Sequence, residues 1–214
     1  MSSELLRLLE VMDRLRSPGG CPWDAEQTHQ SLIKYLLEES YEFVDAIDEN
    51  DREAMQEELG DILLQVYFHS RIAQEHPTNP FSIEDVAKGI ADKLIRRHPH
   101  VFEDIKIRDN DELLENWERL KAEEKGRNSA TDGVAQSQPA LSLITKLIYR
   151  AEKCGIDLNL PTTEVSNGVP NEVAIGDALV AAVAAAIKHG IEPEDLLRSR
   201  AREISAEIKR IESL

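Results

Sequence analysis

Residues 28–66 read THQSLIKYLLEESYEFVDAIDENDREAMQEELGDILLQV. Apolar residues recur there at intervals of three and four, the spacing of one helical face and not the alternation of a half-buried strand. The spacing predicts a helix from about Thr28 that turns Leu32, Tyr35, Leu36, Phe43 and Ile47 inward. A second helix begins after Asp51, a side chain suited to an N-cap, and carries Leu59, Ile62, Leu63 and Val66 on its inner face. The two are expected to pack as an antiparallel hairpin.

The same period runs outward in both directions, and alternating β-branched runs are missing, so the chain reads as all-α. A first helix is predicted from Ser3 to Arg16, with Leu5, Leu8, Leu9, Met12 and Leu15 on one face, stopped by Pro18-Gly19-Gly20 and followed by a structured loop. Ser82 caps a helix to about Arg97, ended by His98-Pro99, and another runs from Asn110 to Lys125 and stops at Gly126. Residues 127–138 are polar and aperiodic, the composition of a linker. Residues 1–126 and 139–214 then form two modules. In the second, Pro139 opens a helix to Cys154 with Gly155 as its C′ residue, Asn171–His189 ends at Gly190, and Pro193 takes the first position of the last helix.

Composition narrows the function. Among 214 residues, 41 acidic side chains against 25 lysines and arginines give a net charge of −16, which repels nucleic-acid phosphates and anionic headgroups. No nucleic acid and no membrane is expected as partner, since the most apolar stretch, Val173–Ile187, is broken by Gly176 and Asp177 and falls short of the roughly 20 residues a spanning helix needs. Two cysteines and an N-terminus without a secretory pattern predict a reducing, cytoplasmic setting.

The chemically unusual residues are acids. Glu38, Glu39 and Glu42 share one helical face, as do Glu58 and Asp61, so an antiparallel hairpin would bring four or five carboxylates together. Such a cluster needs compensating cations, and oxygen-only ligands suit Mg²⁺, or alternatively Mn²⁺, over zinc. Spacing alone favours a solvated face on an acidic helix. Lys93, Arg96 and Arg97, followed by His98 and His100, form a compact cationic group that reads either as a phosphate clamp or as salt-bridge partners for the acidic helices. Trp117 and Lys121, one turn apart, offer a stacking face and a cation, or in the case of Trp117 ordinary core.

Gly19-Gly20-Cys21-Pro22-Trp23-Asp24, Gln27-Thr28-His29, Leu36-Leu37-Glu38-Glu39-Ser40-Tyr41-Glu42, Glu57-Glu58-Leu59-Gly60-Asp61 and Lys93-Leu94-Ile95-Arg96-Arg97-His98-Pro99-His100-Val101-Phe102 together resemble the MazG nucleoside triphosphate pyrophosphohydrolases, over residues 1–126. The resemblance implies an all-α dimer that binds Mg²⁺ through an EExxE and ExxD pair and hydrolyses NTPs or dNTPs to the monophosphate and pyrophosphate. It implies Glu39, Glu42, Glu58 and Asp61 as metal ligands, Glu38 as general base, Lys93, Arg96 and Arg97 on the phosphates, and Trp117 and Lys121 on base, sugar or phosphate. Retention of all five carboxylates argues against a catalytically inactive MazG-like dimeric binding or regulatory protein. A di-iron bundle is disfavoured because Glu26-Gln27-Thr28-His29 alone has its Glu-x-x-His spacing.

Longer members of this family carry a second copy of the module, and Ile175-Gly176-Asp177-Ala178-Leu179 resembles Leu59-Gly60-Asp61-Ile62-Leu63. Ala174 stands where the first copy has Glu58, and Glu203 and Glu207 fall opposite Lys93 and Arg97. The second module therefore reads as a degenerate copy that serves packing or dimerisation.

Overall fold

A computed structural model of the chain describes residues 3–103, 109, 112, 113, 116, 117, 120, 124, 129–161 and 172–212. The fold is all-α, with no strand among the described residues, and it divides into two compact units, residues 1–117 and 118–214. The predicted Asn110–Lys125 helix lies largely outside the described residues, as does Lys121. Among the described residues, no single helix is long and apolar enough to cross a membrane.

The first unit contains α1 (Glu4–Arg16), α2 (Pro22–Glu26), α3 (His29–Asp48), α4 (Arg52–Ala73), α5 (Ile83–Arg97) and α6 (Pro99–Phe102). The caps follow from the sequence. Thr28 and Ser31 form a reciprocal capping box at the start of α3, Asp51 accepts from the Glu53 and Ala54 amides at the start of α4, and Ser82 and Asp85 form a second box on α5. Asn50 makes the α3–α4 turn with φ +55°, a left-handed conformation that asparagine tolerates better than most residues. The segment after α1, expected as loop, contains the short helix α2, with Pro22 at its start.

The core of this unit is Met12 from α1, Leu32 from α3, and Tyr67 and Phe68 from α4, surrounded by Leu8, Leu9, Leu15, Tyr35, Leu63, Leu64, Ile72 and Ile83. Leu5, Ile47, Leu59 and Val66, expected inside, are exposed instead. The inner row of α4 passes through Gln65, Tyr67, Phe68, Ser70 and Ala73, so the helix is rotated from the face its aliphatic residues suggest. Polar contacts fix α1 against the end of α4: Arg16 donates to Glu75 and to the carbonyls of Asp24 and Gln27, while Arg71 bridges Asp13 and Glu75. The hydrogen bonds from Arg16, with its charge and that of Arg71, hold the Glu75 carboxyl below the usual range.

The second unit contains α7 (Ala140–Lys153), α8 (Glu172–Lys188) and α9 (Pro193–Glu212). Gly155 and Gly190 end α7 and α8 in the left-handed region, at φ +66° and +68°, and the next amides reach back to Ala151 and Ala186. Among the described residues, Val134, Ile148, Ala151, Ala181 and Val183 are buried in it.

Two glycines of the first unit differ in their surroundings. A Cβ on Gly20 would collide with the backbone carbonyls of Arg14 and Leu15, because the chain doubles back there and the Cys21 amide donates to the Leu15 carbonyl at 2.8 Å. Gly60 has nothing within 4 Å of such a Cβ. Gly20→Ala should therefore destabilise the protein by roughly 2 kcal/mol through overpacking. Gly60→Ala, in a helix interior with open space beside it, should stabilise by about 0.5–1 kcal/mol. Urea unfolding of the two variants checks both signs.

Candidate metal centre

The register of the hairpin determines the site. His29 on α3 stacks on His69 of α4, with parallel rings 5.1 Å apart and Nδ1 atoms at 2.8 Å, so one imidazole N–H donates to the bare nitrogen of the other. Ten residues further along α3 and eight to eleven back along α4, Glu39 meets Glu58 and Asp61. The helices are thus antiparallel, and one carboxylate oxygen from each of Glu39, Glu58 and Asp61 lies within 4.8 Å of the others. All three side chains are half-buried. Among the described residues there is no second cluster of this kind.

The electrostatics follow from crowding. Burial, then the charges of Asp61, Glu42 and Glu58, lift the Glu39 carboxyl from an ordinary 4.5 to about 7. Burial and the charges of Glu42, Asp61 and Glu57 raise Glu58 as well, opposed by a hydrogen bond with Glu39. Glu42 is exposed but hydrogen-bonds Glu39, and so belongs to the cluster electrostatically. Glu38 is exposed and is not one of the three clustered carboxylates. Glu58 Oε2 is buried without a hydrogen-bond partner among the described residues. An oxygen-only donor set with an orphaned buried oxygen and an acid that holds its proton near neutrality fits a hard divalent cation, which would supply the missing positive charge.

The cationic group lies on the last two turns of α5, which packs against α4. Lys93 is half-buried, Arg96 is exposed and Arg97 is buried at 7% exposure. Trp117 is 38% exposed, and Lys121 lies outside the described residues.

One row of polar residues escapes a reading of the sequence. Asp61, Gln65 and His69 follow one another at four-residue intervals on α4, Gln65 is buried, and burial together with the nearby His29 pushes the His69 imidazole below its usual range. The spacing was the available signal. An amide and an imidazole among Leu63, Leu64, Val66, Tyr67 and Phe68 carry no pattern of their own.

Comparisons with known proteins place the chain among its relatives. The sequence profile of the MazG nucleotide pyrophosphohydrolase domain matches residues 27–102, which span α3, α4 and α5. The nucleoside triphosphate pyrophosphohydrolase/pyrophosphatase MazG of Thermotoga maritima is 39% identical over 97% of this chain and 85% of its own length. An uncharacterised 26.1 kDa protein of Streptomyces cacaoi is 46% identical over 93% of this chain and 78% of its own. The nucleoside triphosphate pyrophosphohydrolase of Escherichia coli K12 is 44% identical over 72% of this chain, which spans 60% of that protein.

The raised Glu39 carboxyl sets a pH dependence. Its stabilising contribution is complete below 4.5 and is lost as pH rises through about 7, because over that window the unfolded chain releases a proton that the folded protein retains. The melting temperature of the metal-free protein should therefore fall between these values, and Glu39→Gln should flatten the fall. Thermal unfolding in EDTA across this range is the check.

Proposed function

The chain belongs to the MazG nucleotide pyrophosphohydrolase family, and from that we propose that it hydrolyses nucleoside or deoxynucleoside triphosphates to the monophosphate and pyrophosphate, with Mg²⁺ or alternatively Mn²⁺, as a house-cleaning enzyme of the nucleotide pool. The supporting observation is the convergence of Glu39, Glu58 and Asp61 inside the matched segment. Glu42 completes the ligand set in this reading. A bound divalent cation supplies charge neutralisation and acidifies water at the site.

The chain's own residues take the remaining roles. Glu38, exposed and next to Glu39 in the sequence, accepts the proton of the water that attacks the α-phosphorus. Lys93, Arg96 and Arg97 hold the β and γ phosphates, and charge accumulating on the departing pyrophosphate strengthens that hold. Trp117 and Lys121 contact the base and the sugar or phosphate. The working unit is a homodimer in the cytoplasm. The second module does not turn over substrate, since Ala174 replaces a ligand and Glu203 and Glu207 replace two cations.

Asp61→Asn should abolish pyrophosphate release from a panel of NTPs and dNTPs with Mg²⁺ while leaving the helical circular dichroism intact. Asp177→Asn, exposed on α8 in the second unit, should leave turnover nearly unchanged. Orthophosphate as the main product, or equal losses in the two variants, would contradict this assignment.

A further inference from the structure

Two polar atoms on α4 are buried with no hydrogen-bond partner among the described residues, Gln65 Oε1 and His69 Nε2. Both residues line a cavity of about 240 Å³, whose apolar walls are Leu36 of α3, Val66 of α4, Val86 of α5 and the Phe81 ring just before α5. Ser70 lines it as well, but its hydroxyl donates to the Val66 carbonyl at 2.7 Å. Gln65 is 5% exposed, and a buried amide left without a partner carries a cost that no contact within the protein offsets. An apolar cavity with a few convergent polar groups has the form of a ligand site, and one below the roughly 300–1,000 Å³ of drug-sized sites suits a single ring system.

Both polar groups serve as donor or acceptor. Rotation of the Gln65 amide presents either its oxygen or its NH₂. Burial and the nearby His29 favour the neutral His69 ring, and the 2.8 Å contact between the two Nδ1 atoms sets its tautomer. When His69 donates in that contact its Nε2 is a bare acceptor, and when His29 donates the His69 Nε2 carries the proton. A flat heteroaromatic ring with adjacent donor and acceptor atoms on its edge satisfies two such groups and buries its faces against aliphatic walls and a phenyl ring. Position adds a second argument. Gln65 and His69 follow Asp61 by one and two turns, about 6 and 12 Å along α4, a span that one sugar bridges between a phosphate at the carboxylates and its base. Val86, in the first turns of α5, precedes Lys93 by seven residues, so the cavity and the cations assigned to the β and γ phosphates lie at different ends of that helix.

We propose that this cavity is the nucleobase subsite, where Gln65 and His69 bind the hydrogen-bonding edge of the base and accept keto and amino bases alike. It rests on the preceding reading for the position of the phosphates, but binding of the base needs neither metal nor turnover. Gln65→Leu keeps the side chain's bulk and removes its hydrogen-bonding atoms. With Mg²⁺, the ratio of kcat/KM for dATP to kcat/KM for the triphosphate of abasic deoxyribose should fall roughly tenfold in this variant, through KM. An equal loss with both substrates would mean that Gln65 acts through the metal centre, and an unchanged ratio that the cavity holds only solvent; either overturns the proposal. A second measurement uses the wild-type chain in EDTA. The ¹⁵N resonance of His69 Nε2, assigned by its loss in His69→Gln, should shift on addition of deoxyadenosine and stay in place with deoxyribose. No shift with deoxyadenosine overturns the proposal whatever the kinetics. A protein that hydrolyses no triphosphate would remove the preceding reading, and the His69 resonance would still decide this one.

Discussion

Three half-buried carboxylates held within 4.8 Å of one another are the constraint on which the first unit is built. Left alone they repel, and a flexible hairpin would relieve the repulsion by sliding or splaying. The structure prevents this from the opposite end. Leu32 and Met12 are almost completely buried against Tyr67 and Phe68, and this core lies seven residues, or about 10 Å, along α3 from Glu39. Arg16 and Arg71 tie α1 to the end of α4 through Glu75 and Asp13. Apolar burial and a buffered ion-pair network at one end thus hold like charges together at the other. The strain appears as the raised Glu39 carboxyl.

Much of this was legible in the sequence, for a physical reason. Helix starts are written in short-range chemistry, and Thr28, Asp51 and Ser82 each cap the helix expected of them. The carboxylate spacing survives folding because Glu58 and Asp61 share a helical face whatever that face packs against. Rotation of α4 was not legible. Its aliphatic residues are spread around the helix, so the inner row was settled by tertiary fit with Met12 and Leu32, which exposed Leu59 and Val66 and buried Gln65. Nor was the role of Gly60 as a residue beside open space, or that of α2, five residues long and too short to show a period.

The two units illustrate how little sequence is needed to separate a charged site from its likeness. Asp177 retains the setting of Asp61 in sequence, with Gly before it and Ala-Leu after, but it is exposed and no carboxylate cluster forms around it among the described residues. What the second unit presents is apolar side chains on α8 and α9, including Val173, Leu179, Ile204 and Ile208. Both units expose aliphatic side chains, and the first adds an acidic convergence to them.

The central claim is that the carboxylates of α3 and α4 form a cation site. Crystals soaked in Mn²⁺ and measured for anomalous scattering address it most directly. The account predicts a strong peak bounded by Glu39, Glu58 and Asp61 that disappears in Asp61→Asn. A peak elsewhere on the chain, or none in a protein that still releases pyrophosphate in a Mn²⁺-dependent way, would contradict it.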